Sequence, residues 1–210
     1  MRAVVFDCDG VLVDSEPLSE GAWASVLGLH GYTPAPGDYE ATRGMSSADT
    51  EAYFSQLVEL PPGTDLIAEV NVLLQDLFAT DLEAFPDAVE TVRTLAAEGI
   101  PLAVASSSMR VNLDMKLDMF DLMRYFDVTV AGDEVARGKP APDLFATAAA
   151  GLNVAGADCL AIDDTEVGAD AAVVAGMRTV RLARYGELSA RHPTISILDA
   201  DLILHWLGIR

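Results

Sequence analysis

Lysine is scarce in this chain. Lys116 and Lys139 are the only two among 210 residues, and lysine and arginine together number 13 against 33 acidic residues, a formal net charge of −20. A field of that sign repels phosphate backbones and anionic bilayers, which argues against nucleic acid and membrane surfaces as partners. An anionic small molecule would need local neutralisation by a metal ion or a few placed cations. Cysteine is equally rare: Cys8 and Cys159 are too few and too dispersed for a disulfide framework or a zinc site, so a reducing, cytoplasmic setting is expected. No apolar run reaches the roughly 18 residues of a membrane span. The N-terminus lacks the long apolar stretch of a signal peptide, so no cleaved leader is expected. His30, His192 and His205 fall in no motif, and no repeat or low-complexity tract is visible.

What is abundant is apolar surface, 51% of residues, enough for one large core with material left for a smaller insertion. Val4-Val5-Phe6 is a short apolar run ending at Asp7 to Gly10. Ile100 to Ala105 ends at Ser106-Ser107-Ser108, Asp127 to Ala131 at Gly132-Asp133, and Leu160 to Ile162 at Asp163-Asp164. Such runs read as buried strands. Helical spacing fills the intervals: Ala88 to Glu98, Val111 to Met123, Asp143 to Ala150 and Gly168 to Ala175. Strands alternating with helices predict an α/β fold, a three-layer Rossmann-like core around a parallel sheet, with polar residues gathered beyond the strands' carboxyl ends. From Ser15 to about Leu82 the spacing is helical throughout, broken at Gly31 to Gly37 and Pro61-Pro62-Gly63. Residues 1–14 and 83–210 are therefore expected to form the core, and 15–82 an inserted α-helical cap.

The segment Val4 to Asp14, with its Asp7-Cys8-Asp9-Gly10 centre, resembles the first motif of the haloacid dehalogenase-like superfamily. Three further motifs of that family follow in order: Ala105-Ser106-Ser107, Lys139-Pro140-Ala141-Pro142-Asp143, and Ile162-Asp163-Asp164-Thr165 followed by Gly168 and Ala175-Gly176-Met177. The resemblance spans nearly the whole chain. It is closest to the helical-cap subgroup that includes beta-phosphoglucomutase and many sugar-phosphate phosphatases.

That resemblance implies a magnesium-dependent phosphatase acting on small phosphate monoesters of the sugar or polyol type, with Asp7 as nucleophile and Asp9 as general acid/base. Elementary chemistry agrees. A carboxylate approaching a phosphate meets a repulsion of about 4 kcal/mol for unit charges 4 Å apart at an effective dielectric near 20, which a divalent cation removes. Magnesium prefers hard oxygen ligands. Asp7, the Asp9 carbonyl and Asp164 would supply them, and Asp163 either ligates directly or holds a metal-bound water. Asp7 would form an aspartyl-phosphate while Asp9 protonates the departing alkoxide and then activates water. Ser106 would bond a phosphoryl oxygen, and Lys139 would offset the charge of phosphate and nucleophile. Ser107 is a second candidate for the phosphate, although it and Ser108 can equally be read as a helix N-cap. Cys8 is read as a small buried residue facing away from the site.

The proposed cap holds no lysine and one arginine, Arg43, its candidate substrate contact. That is a poor place for a second phosphate. Beta-phosphoglucomutase-like enzymes carry a histidine where this chain has Ser19 and an arginine where it has Ser47, so a mutase of sugar phosphates is the second reading. A non-enzymatic phospho-receiver is the third, although receivers need neither an Asp9-type acid nor a cap. The expected partner is a small-molecule monoester whose distal part is neutral or positively charged, and the expected assembly a monomer or weak homodimer.

Overall fold

The computed structural model describes residues 2–184 and 189–209. Its centre is a sheet in which β1 (Ala3–Phe6) lies between β2 (Leu102–Ala105) and β4 (Cys159–Asp163), with every residue of the three strands buried. Short runs that are apolar on both faces suit a parallel sheet covered by helices on each side. β3 (Val128–Val130) pairs outside β2, and β5 (Arg178–Leu182) and β6 (Thr194–Ile195) extend the other side, giving the parallel order β3-β2-β1-β4-β5-β6. Phe6 is level with Val104 and Ile162, so the residues that follow the three central strands emerge together at one edge.

The period-2 alternation of strands sorts side chains by size. Val4, Phe6, Leu102, Val104, Leu160 and Ile162 point into one apolar cluster; Ala3, Val5, Ala103, Ala105, Cys159 and Ala161 point into the other. The bulky face packs against α5 (Pro86–Ala97), α6 (Arg110–Met119) and the C-terminal α9 (Ala200–Leu207). The alanine-rich face receives α7 (Asp143–Gly151) and α8 (Glu166–Val174), whose own Ala148, Ala149, Ala171 and Ala172 allow close approach. β5, β6 and α9 lie beyond the elements predicted from the sequence. α6 stops four residues earlier than predicted, because Asp121 takes a left-handed conformation (φ 56°) just past its end. α8 begins two residues earlier than predicted, since the Thr165 hydroxyl accepts the Gly168 N–H at 2.9 Å as its N-cap.

Between β1 and α5 run four helices: α1 (Glu16–Leu29), α2 (Pro36–Thr42), α3 (Ser47–Phe54) and α4 (Leu66–Asp81). They share an aromatic centre in which Trp23 stacks on Phe54 at 5.4 Å. The chain enters and leaves this bundle through two adjacent strands of backbone. Phe85 N–H donates to Leu12 at 3.0 Å, Asp14 N–H donates to Glu83 at 2.8 Å, and Val13 and Ala84 form an antiparallel bridge. No helix among the described residues is long and apolar enough to cross a membrane.

Candidate active site

β1 delivers Asp7 to the carboxyl edge of the sheet, where its N–H donates to Ile162 at 2.8 Å and its side chain is buried. β4 ends at Asp163 and Asp164, both buried. Asp7, Asp163 and Asp164 can each present an oxygen such that all three lie within 4.8 Å of one another. One buried cation faces them: Lys139 Nζ is 2.9 Å from Asp7 Oδ1 and 2.8 Å from Asp163 Oδ2. Among the described residues, Asp7 Oδ1 finds no hydrogen-bond donor of regular geometry despite its burial. Two glycines make this crowding possible. A Cβ on Gly10 (φ 69°) would fall 2.3 Å from Asp164 Oδ2, and one on Gly168 would fall 1.9 Å from Asp163 Oδ2.

The electrostatics follow from three carboxylates against one ammonium. Burial pushes Asp7 up to about 7; Lys139 opposes this, while the charges of Asp163 and Asp9 add to it. Burial likewise holds Asp164 well above the usual carboxylate range, reinforced by Asp163 and Asp7. Lys139 is itself raised, because its two carboxylate partners outweigh its desolvation. A cluster of hard oxygens with surplus negative charge and an unbonded acceptor fits a small divalent cation such as magnesium.

Asp163 differs from its neighbours. Its Oδ1 accepts from Thr165 N at 2.8 Å and Thr165 Oγ1 at 2.7 Å, and its Oδ2 accepts from Lys139. Both oxygens are engaged, so Asp163 braces the α8 N-cap and Lys139 together.

Asp9 lies in a second cluster. Its carboxylate accepts from Ser15 Oγ, from Ser106 Oγ at 3.2 Å, from Ser108 Oγ at 2.8 Å and from Lys116 Nζ. Burial alone would raise its pKa, but the Lys116 charge and the hydrogen bonds from Lys116, Ser15 and Ser108 outweigh burial and lower it to about 2. Lys116 is buried on α6, donates also to Ser108 Oγ at 2.9 Å, and sits 4.8 Å from the centre of the Phe78 ring on α4. Sequence reasoning gave this lysine no role.

Ser106 is fully buried, with its N–H on Val130 at 3.0 Å. Ser107 Oγ donates to Gly44 at 3.0 Å, tying the sheet edge to the helical segment. Neither Ser107 nor Ser108 caps a helix: Met109 is the N-cap of α6, and the Arg110 N–H is held instead by Asp133 Oδ1 at 2.9 Å. Cys8 is a free thiol within the bulky apolar cluster.

A cavity of about 110 Å³ opens between the sheet edge and the four helices. Asp7, Asp9, Ser107, Asp164 and Lys116 line one side; Ser19, Arg43, Ser47, Asn71 and Phe78 line the other. Arg43 reaches this cavity with its charge already committed, 2.9 Å from Glu20 Oε1 and 3.6 Å from Glu16 Oε2. Burial, with the charge of Asp9, raises Glu16 to about 7 despite Arg43.

With this geometry in place, the model of the haloacid dehalogenase-like hydrolases matches residues 1–176. The chain belongs to that family. Among relatives of this hydrolase, the phosphorylated carbohydrates phosphatase of Thermotoga maritima is 28% identical over 204 residues, 97% of this chain and 93% of that protein. The fructose-1-phosphate phosphatase YqaB of Escherichia coli is 30% identical over 181 residues, 84% of this chain and 94% of that protein. The crystal structure of beta-phosphoglucomutase from Clostridium difficile superposes with a TM-score of 0.88 at 21% identity, covering 99% of this chain and 97% of that one. The last likeness speaks to the fold, a Rossmann-like parallel sheet flanked by helices.

Proposed function

We propose that this phosphohydrolase is a magnesium-dependent phosphatase of small sugar- or polyol-like monoesters that works through an aspartyl-phosphate on Asp7. The observation that carries the reading is the pairing of two distinct carboxylate sites side by side on one wall of a cavity. One is the surplus-negative Asp7/Asp163/Asp164 cluster and the other is Asp9 in its cradle of hydroxyls. The phosphatase names of the two sequence relatives support the choice of substrate class.

Asp7 and Asp164 are the carboxylates that would hold the ion, while Asp163 fixes Lys139 and Thr165 beside them. A bound divalent cation would screen the approach of a phosphate dianion to the nucleophile. In the first step an Asp7 oxygen attacks phosphorus, the bond from phosphorus to the leaving oxygen breaks, and Asp9 gives its proton to that oxygen. In the second step Asp9 takes a proton from water as the water oxygen attacks phosphorus and the Asp7–phosphorus bond breaks, releasing inorganic phosphate. Lys139 balances Asp7 throughout. The Lys116 pairing holds Asp9 as a carboxylate, the form that accepts a proton from water. The acid step calls for a protonated Asp9, and hence for its separation from the Lys116 ammonium.

On this reading residues 15–82 are the cap, joined to the core at 12–14 and 83–85. Both cations lining the cavity, Arg43 and Lys116, are paired with carboxylates. Among the described residues that leaves no free charge in the cavity for the second phosphate of a bisphosphate, which favours a hydrolase over a mutase. The test is phosphate release from a panel of sugar, polyol and nucleotide monophosphates with magnesium or chelator. Metal-dependent release is expected from several sugar or polyol esters; its absence throughout would sink the proposal.

A further inference from the structure

We infer that Asn112, held by Asn71, forms a subsite for a hydroxyl of the leaving alcohol and makes the site selective for hydroxylated, uncharged leaving groups. This deepens the phosphatase reading and rests on it. Asn112 is 4% exposed, lies on α6 and lines the cavity. Its Nδ2 donates to Asn71 Oδ1 at 2.9 Å, and Asn71 Nδ2 in turn lies 2.9 Å from Met109 Sδ. The pair joins α4 to the start of α6 and fixes both amides. It leaves Asn112 Oδ1 without a hydrogen-bond partner among the described residues. A buried amide oxygen is costly to leave unpaired, so a donor supplied by a ligand would be held there strongly.

The surroundings say which donor. Lys116, one helical turn further along the same face of α6, spends its charge on Asp9, so neither an ammonium nor an anion placed beside Asn112 finds a free counter-charge there. A carboxylate or a second phosphate offers only acceptors to an acceptor oxygen. Val70, Leu74 and Phe78 from α4 line the same cavity with carbon. A hydroxyl on a carbon skeleton satisfies all three conditions.

The experiment compares kcat/KM for two esters of matched carbon skeleton with magnesium present, a polyol phosphate and the corresponding simple alkyl phosphate. The wild type is expected to favour the polyol ester by about tenfold or more. Asn112→Leu should abolish that preference while changing the alkyl ester by less than about threefold. Asn112→Ala, which withdraws the acceptor without adding apolar bulk, is read the same way if the leucine variant does not fold. Equal falls on both esters, or a preference that survives in the folded variant, would overturn the subsite. Equal rates on both esters in the wild type overturn it while leaving the phosphatase reading intact. No release from any ester brings down that reading, and the subsite with it.

Discussion

The two lysines of this chain occupy opposite electrostatic situations, one in each carboxylate cluster. Lys139 faces Asp7 and Asp163 with Asp164 close by, one positive charge among three negative ones, and Asp7 is pushed up to about 7. Lys116 faces Asp9, one charge against one, with three serine hydroxyls completing the shell, and Asp9 is lowered to about 2. Both lysines are buried to the same degree. What differs is the local charge count. The incomplete cluster has room for a further positive charge, whereas the complete one holds its carboxylate in a defined place.

The largest effect that can break this contrast is on the incomplete side. Asp7→Asn should lower the rate of phosphate release by at least about 10³-fold, read by steady-state assay with mass spectrometry to exclude reversion to Asp. Near-wild-type turnover would remove Asp7 as nucleophile. On the complete side, Lys116→Met leaves a buried carboxylate without its counter-charge, a loss of about 3–5 kcal/mol unless Asp9 takes up a proton. Urea unfolding at neutral pH measures it, and an unchanged midpoint would show that the hydroxyls suffice.

A third prediction sets the two clusters against each other by pH. The raised pKa of Asp7 means that, without metal, its contribution to stability is complete below about 3.8 and is lost as pH rises through about 7. The lowered pKa of Asp9 works in reverse: its contribution is present above about 3.8 and is lost as pH falls through about 2. Thermal melts of metal-free protein should therefore show a falling Tm between pH 5 and pH 8. Magnesium should remove that fall and raise the Tm, by about 2.7 kcal/mol of stability at a hundred times its dissociation constant. A metal-free Tm that is flat over this range would contradict the surplus of charge. The smallest effect is expected at Arg43. Since Glu20 and Glu16 already hold it, Arg43→Ala should change kcat/KM for monophosphates by less than about threefold, and a larger loss would mean that substrate competes for the guanidinium.

The edge that carries the candidate site was legible because Asp7, Ser106 and Asp163-Asp164 each end an apolar run, and a parallel sheet gathers such ends whatever the loops do. β5 was not, because Arg178 and Arg181 interrupt its pattern on the half-open side of the sheet. Lys116 was hidden for a different reason. Between Leu113 and Leu117 it looks like a break in an apolar helix face, and its partner is 107 positions away. One signal did exist: Lys116 is one of only two lysines in a chain of net charge −20. The Asn71–Asn112 pair, 41 positions apart, left no comparable trace.

The bridge between Val13 and Ala84 has a consequence for ancestry and engineering. Because the chain leaves the sheet and returns to it side by side, the 70 residues between Val13 and Ala84 form a detour whose omission would leave strand order untouched. A short turn could close the gap, and a different bundle could be spliced into it. Any replacement bundle would have to keep three ties to the sheet edge: Ser15 on Asp9, Gly44 on Ser107 and Asn71 on Asn112.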